Sequence, residues 1–170
     1  VLATFIPPFP IYPPETSWMR EPKTEIPGLI VNDSSKGRVA FMPADLDRRF
    51  AIHNLPDHGD LLANLVRWAA SDRIPLSVEG SGLVDCHLYR QENHLILHLV
   101  NLTSAGTWRQ PVHEFIPVGP LRVKIQLPSS VRAKNLQLLV SQKKPPVAVR
   151  NGWAQFEVQS VLDHEVVIVG

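Results

Sequence analysis

From Leu76 onward the chain alternates between apolar and polar residues. His94-Leu-Ile-Leu-His-Leu-Val100 and Leu121-Arg-Val-Lys-Ile-Gln-Leu127 put an apolar side chain at every second position. That is the period of a strand with one buried face. Shorter β-rich runs follow the same habit at Leu76–Glu79, Leu83–Arg90, Leu136–Val140, Trp153–Val158 and Val166–Val169. Gln91-Glu-Asn93, Pro128-Ser-Ser130 and Asn151-Gly152 separate several of them as turns. Seven or eight strands in about 95 residues predict an antiparallel β-sandwich over residues 76–170.

The pattern before Ile74-Pro75 is different. Val1-Leu-Ala-Thr-Phe-Ile6 is an apolar run that reads as a buried strand. It has no charged leader and is too short for a secretory signal. A domain seldom starts at full hydrophobic stride, so the chain is expected to come from a longer polypeptide whose missing part lies on the N-terminal side. Pro7, Pro8, Pro10, Pro13, Pro14, Pro22 and Pro27 then exclude regular helix and central strand over 7–27. This segment, with Phe9, Tyr12 and Trp18, is either an interface-forming loop or an arm packed over its own domain. Gly28–Asn32 and Arg38–Met42, joined by the turn Asn32–Gly37, predict a hairpin. Leu61, Leu62, Leu65, Val66 and Ala69 share one helical face, predicting one main helix between Asp57 and Ala70 with Asp57 as N-cap. The fold class is therefore α+β: a partial α/β layer over residues 1–74, then the sandwich. Such a layer should leave an apolar face or edge uncovered, beside Val1–Ile6, and such surface favours self-association.

Composition narrows the function by exclusion. Lys and Arg number 17 against 16 Asp and Glu, a formal charge of +1 in 170 residues, which gives no basic surplus for nucleic acid. The 19% charged and 44% hydrophobic content excludes intrinsic disorder. No apolar run approaches the ~20 residues of a membrane span, so a soluble protein is expected. The charges split evenly, 8 basic and 9 acidic before residue 76 and 9 and 7 after it. Neither half selects a partner by its field. The single cysteine, Cys86, allows no internal disulfide.

The densest polar cluster is Asp45-Leu-Asp-Arg-Arg-Phe-Ala-Ile-His-Asn-Leu-Pro-Asp-His58. It lies in a loop between strand and helix, where α/β folds place ligands. Asp45, Asp47, Arg48, Arg49, His53 and His58 are the candidate ligand-binding residues here. Their spacing matches no metal pattern, the arginines oppose a cation, and Asp47 with Arg48 or Arg49 also reads as a structural ion pair. Cys86 and His87 are adjacent in a strand and face opposite ways, which excludes a Cys–His couple. His94 and His98 share a strand face. Trp108 and Trp153 are candidates for stacking on sugar rings, with core or interdomain packing as the alternative. Asn32-Asp-Ser34 and Asn101-Leu-Thr103 fit the glycosylation sequon. No nucleophile elbow, phosphate loop or zinc motif occurs. No catalytic residue, metal or cofactor is assigned.

Gly37-Arg-Val-Ala-Phe-Met-Pro-Ala-Asp-Leu-Asp-Arg-Arg49, Pro56-Asp-His-Gly59 and Leu62-Ala-Asn-Leu-Val-Arg-Trp-Ala-Ala70 resemble the end of the glutamine-amidotransferase-like domain in beta-galactosidases of the trimerisation-domain type and related glycoside hydrolases. Leu83–Gln91, His98-Leu-Val-Asn-Leu-Thr103 and Ile116-Pro-Val-Gly-Pro120 resemble the C-terminal β-sandwich of the same proteins. The resemblance implies a flavodoxin-like layer behind a catalytic barrel that lies outside these residues, in a bacterial protein of the cytoplasm or periplasm. It implies an accessory role: packing against the missing N-terminal domains, homo-oligomer formation, or shaping a neighbouring active site. Two alternatives stay open, a carbohydrate-binding module using the exposed aromatics and a small hydrolase using the Asp45–His58 loop. Nucleic acid and membrane are not expected partners.

Overall fold

A computed structural model describes residues 1–34, 36–103 and 114–170. The chain divides into two compact units, Val1–Ile74 and Pro75–Gly170.

In the first unit, β1 (Ala3–Thr4), β2 (Pro27–Ser34) and β3 (Gly37–Phe41) form an antiparallel sheet in that order. A flavodoxin-like layer pairs its strands in parallel, and no ladder described in this unit does. Ser34 stands opposite Gly37 at the hairpin end, where Gly37 takes a φ of +144° that other residues rarely adopt. The strand read at the N-terminus is real but short, and both of its residues are exposed rather than buried. Beyond it the proline-rich segment makes one 3-10 turn at Pro14–Thr16.

Two helices follow instead of one. α1 (Leu46–His53) occupies the stretch expected to be a loop, and α2 spans Pro56–Ala69. Asn54 separates them in the left-handed conformation, its N–H donating to the carbonyl of Phe50 at 2.7 Å. Asp57 is not the N-cap. Leu55 holds that position and Pro56 the first helical one, where a fixed φ and a missing donor cost nothing. Gly59 lets the helices approach, since a Cβ there would come within 2.7 Å of the Phe50 ring. Arg38 ties β3 to α2: its Nε donates to Asp33 at 3.0 Å, Nη1 donates to the carbonyl of Trp68 at 3.2 Å, and its guanidinium lies over the Trp68 ring.

Among the described residues, the second unit forms two four-stranded antiparallel sheets. One runs β4 (Leu76–Glu79), β7 (Leu121–Gln126), β10 (Trp153–Val158), β9 (Ala148–Arg150). The other runs β5 (Val84–Gln91), β6 (His94–Asn101), β11 (His164–Val169), β8 (Leu136–Leu138). Leu95, Leu97 and Leu99 of β6 meet Leu121, Val123 and Ile125 of β7, Phe156 of β10 and Val167 of β11 in one cluster. Complete burial of a leucine or isoleucine such as Leu97 or Ile125 is worth about 1.5–3 kcal/mol.

Two buried polar side chains fasten the sandwich. Asn101 is 2% exposed, and its Nδ2 donates to the carbonyls of Leu162 (2.7 Å), Ile116 (2.8 Å) and Val161 (3.3 Å), while Oδ1 accepts from the Thr103 N–H. With its amide so engaged inside the fold, the second sequon is structural. Glu165, also 2% exposed, accepts from the backbone N–H groups of Val140 (2.8 Å), Ser141 (3.0 Å) and Val166 (2.9 Å). Burial pushes its carboxyl up, but the hydrogen bonds from Ser141, Val140 and Val166 together outweigh it and hold the group below its usual range.

Burial is very uneven between the units. Among the described residues Leu29, at 5% exposure, is the one buried apolar side chain of the first unit; every other lies in the sandwich. No residue of α1 or α2 is buried, and Val66, on the apolar stripe of α2, is 62% exposed. No helix among the described residues is long and apolar enough to cross a membrane.

Candidate functional site

The polar cluster of the first unit is organised by α1. Asp45 sits at its N-cap position without a capping side-chain hydrogen bond, Asp47 falls in its first turn and His53 in its last. Both placements suit the helix dipole. The ion pair that forms is Asp45 Oδ2 with Arg48 Nη1 at 3.5 Å, between two well-exposed side chains, not one through Asp47. Such a pair contributes little. Arg49 is exposed, its backbone N–H donating to the carbonyl of Asp45. His58 lies in the first turn of α2, half-buried, with Nδ1 enclosed and without a hydrogen-bond partner. No group of three His, Cys, Asp or Glu among the described residues is arranged to hold a metal. Charged side chains on an exposed helix hid it in the sequence, because no apolar stripe marks its period.

Beside these residues an apolar groove of about 410 Å³ opens between β3, α1 and α2. Ala40 and Met42, Leu46 and Asp47, and Leu62, Leu65, Val66 and Ala69 line it. The amphipathic face read from α2 is therefore only partly covered. Val1 and Leu2 also stand largely exposed.

In the sandwich, Val84, Cys86 and Leu88 turn toward the core, so Asp85, His87 and Tyr89 turn outward. Burial first, and the Asp85 charge second, push the Cys86 thiol above its ordinary value. This is a packing cysteine rather than a nucleophile. His87 and His98 face each other across β5 and β6. His87 Nε2 lies 2.9 Å from Asp85 Oδ2. The Tyr89 ring is nearly parallel to that of His87 (15°, centroids 6.5 Å apart) and edge-on to that of His98 (89°, 5.7 Å). His94, on the same face as His98, is exposed at the end of β6. The sequence offered the parity of these residues but not the cross-strand register that collects them.

Trp153 is half-buried on the outward face of β10, opposite Gln126 of β7 and Arg150 of β9. Trp108 lies outside the described residues.

No protein-family model matches the chain, and no curated protein matches it. Among solved structures it is similar to alpha-L-fucosidase isoenzyme 2 from Paenibacillus thiaminolyticus, with a TM-score of 0.67 at 20% sequence identity. The match covers 88% of this chain and 22% of that one. The β-rich α+β fold described above is thus one that a glycoside hydrolase carries over about a fifth of its length.

Proposed function

We propose that this chain is a non-catalytic C-terminal accessory region of a bacterial glycoside hydrolase, serving interdomain packing or oligomerisation in a soluble parent. The uneven burial carries this reading. The sandwich holds a complete core, while the first unit leaves Phe41, Val39 and Val66 more than half exposed. Val39 and Phe41 alternate with Ala40 of the groove that Val66 lines, so both β3 and α2 carry apolar surface of the kind that another polypeptide covers. The cover we assign is the parent's N-terminal domains or a second copy. On that assignment the first unit closes an amidotransferase-like, flavodoxin-like layer of the trimerisation-domain type, with its antiparallel strands at the edge of a mixed sheet.

The shared fold with part of a fucosidase supports the carbohydrate-active context. The spread of Asp45, Asp47, His53 and His58 along two helices, most of them exposed, supports the absence of catalysis. Incubated with a panel of nitrophenyl glycosides, the chain releases no nitrophenol. Turnover that one carboxylate substitution abolishes overturns the proposal.

The outward position of Trp153 favours a second reading, a saccharide-binding module. Retardation on polysaccharide affinity gels, lost in Trp153→Ala, supports it.

A further inference from the structure

The outer face of β5 and β6 concentrates ring systems in a way the fold does not require. Asp85, His87 and Tyr89 alternate along β5. Across the ladder they stand opposite Val100, His98 and Ile96. Those three are half-buried, while Tyr89 is 56% exposed and the His87 and Asp85 side chains about half so. The result is an open phenol and two imidazoles beside half-buried Val100 and Ile96, with a carboxylate at the rim. We infer that this face, centred on Tyr89 with His87, His98 and Asp85, is a binding platform for a hexopyranoside ring. The inference rests on the carbohydrate-active context proposed above and moves the contact from Trp153 to the opposite sheet.

The chemistry selects the ligand. A pyranose has an apolar C–H face and a rim of hydroxyls. The Tyr89 ring, on a residue 56% exposed, suits the first, and Asp85 and the two imidazoles offer acceptors and donors to the second. Asp85 fixes the His87 ring through its 2.9 Å contact, so the platform is set before a ligand arrives. An apolar partner would instead bury the Asp85 carboxylate and the two imidazoles with only the Asp85–His87 contact to satisfy them. A single-stranded nucleic acid would need cations along the face. The nearest one on β5, Arg90, has the opposite parity and donates to Ser130 at 3.0 Å.

The test is an amide-resolved NMR titration of the 170-residue chain with methyl β-D-glucopyranoside and methyl β-D-galactopyranoside, with sorbitol as an open-chain control. For a dissociation constant on the order of 1–10 mM, glycoside up to about 100 mM saturates the site. The expected result is saturable shifts confined to Asp85–Tyr89 and Ile96–Val100, absent with sorbitol. Tyr89→Ala weakens them on the order of tenfold, Asp85→Asn also weakens them, and Tyr89→Phe retains them, all with unchanged melting. Four results overturn the inference: no shifts at saturation, shifts centred on Trp153, equal shifts with sorbitol, or shifts of the same amides on raising protein concentration without sugar. None of these touches the accessory role, which stands or falls on the nitrophenyl glycoside assay.

Discussion

Glu165 gives the sharpest quantitative expectation. Its two carboxylate oxygens take three backbone donors at 2.8–3.0 Å in a site 2% exposed. Oε1 serves Val140 and Val166, and Oε2 serves Ser141 alone. Glu165→Gln keeps one oxygen for the first pair but turns an NH₂ toward the part-buried Ser141 N–H, setting donor against donor there and removing the charge from the other two bonds. Hydrogen bonds to a charged group are worth about 1.5–3 kcal/mol each and an orphaned buried group costs about 1–3 kcal/mol. The variant should therefore lose roughly 2–4 kcal/mol, a melting-temperature drop of roughly 10–25 °C for a unit of this size. Urea melts followed by circular dichroism at a series of pH values measure it. The carboxyl is held below its usual range in the folded state, so its stabilisation is complete above the unfolded value of about 4.3 and fades as pH falls through the lower folded one. The gap between wild type and variant should be constant near neutrality and close only in acid. A difference under about 0.5 kcal/mol at neutral pH, or one that persists unchanged in acid, would refute the reasoning.

Three other expectations follow from the same structure. Asn101→Asp aims a carboxylate at the carbonyls of Leu162, Ile116 and Val161; an uncompensated buried charge should cost about 3–5 kcal/mol, and urea melts should show the deficit shrinking on acidification, as protonation restores a donor. Excised as residues 75–170, the sandwich should melt cooperatively, whereas residues 1–74 alone should not, because nearly all buried apolar side chains belong to the former; calorimetry of the two fragments decides. Cys86, with its thiol pushed up by burial and Asp85, should react with a disulfide reagent near pH 8 at least tenfold more slowly in the folded chain than in denaturant, and equal rates would contradict its inward placement.

What the sequence made legible depended on how steeply burial alternates. β6 and β7 bury every second residue almost completely, so their period stands out. β9 has three exposed residues and is paired by a neighbour rather than by its own pattern. α1 has no buried side chain and therefore no stripe to read; only its stop signals, Asn54 and Pro56, are visible in the sequence. For the site, the strand period gave the outward parity of His87 and of His94 with His98. The grouping of Tyr89 with His87 and His98 depends on which residue of β5 faces which of β6, a register fixed by turn geometry and by core packing across the sandwich.

The position of β11 has a consequence for biosynthesis. The strand lies between β6 and β8, although it follows the other ten strands of the described residues in sequence. A ribosome delivers β5 and β6 some seventy residues earlier, and until His164–Val169 emerges, β6 has an open flank and β8 no partner. Translation therefore cannot finish the sandwich strand by strand as it exits. Its assembly waits for β11 to emerge, and throughout that wait the nascent chain offers the unpaired flank of β6 to chaperones or to other chains.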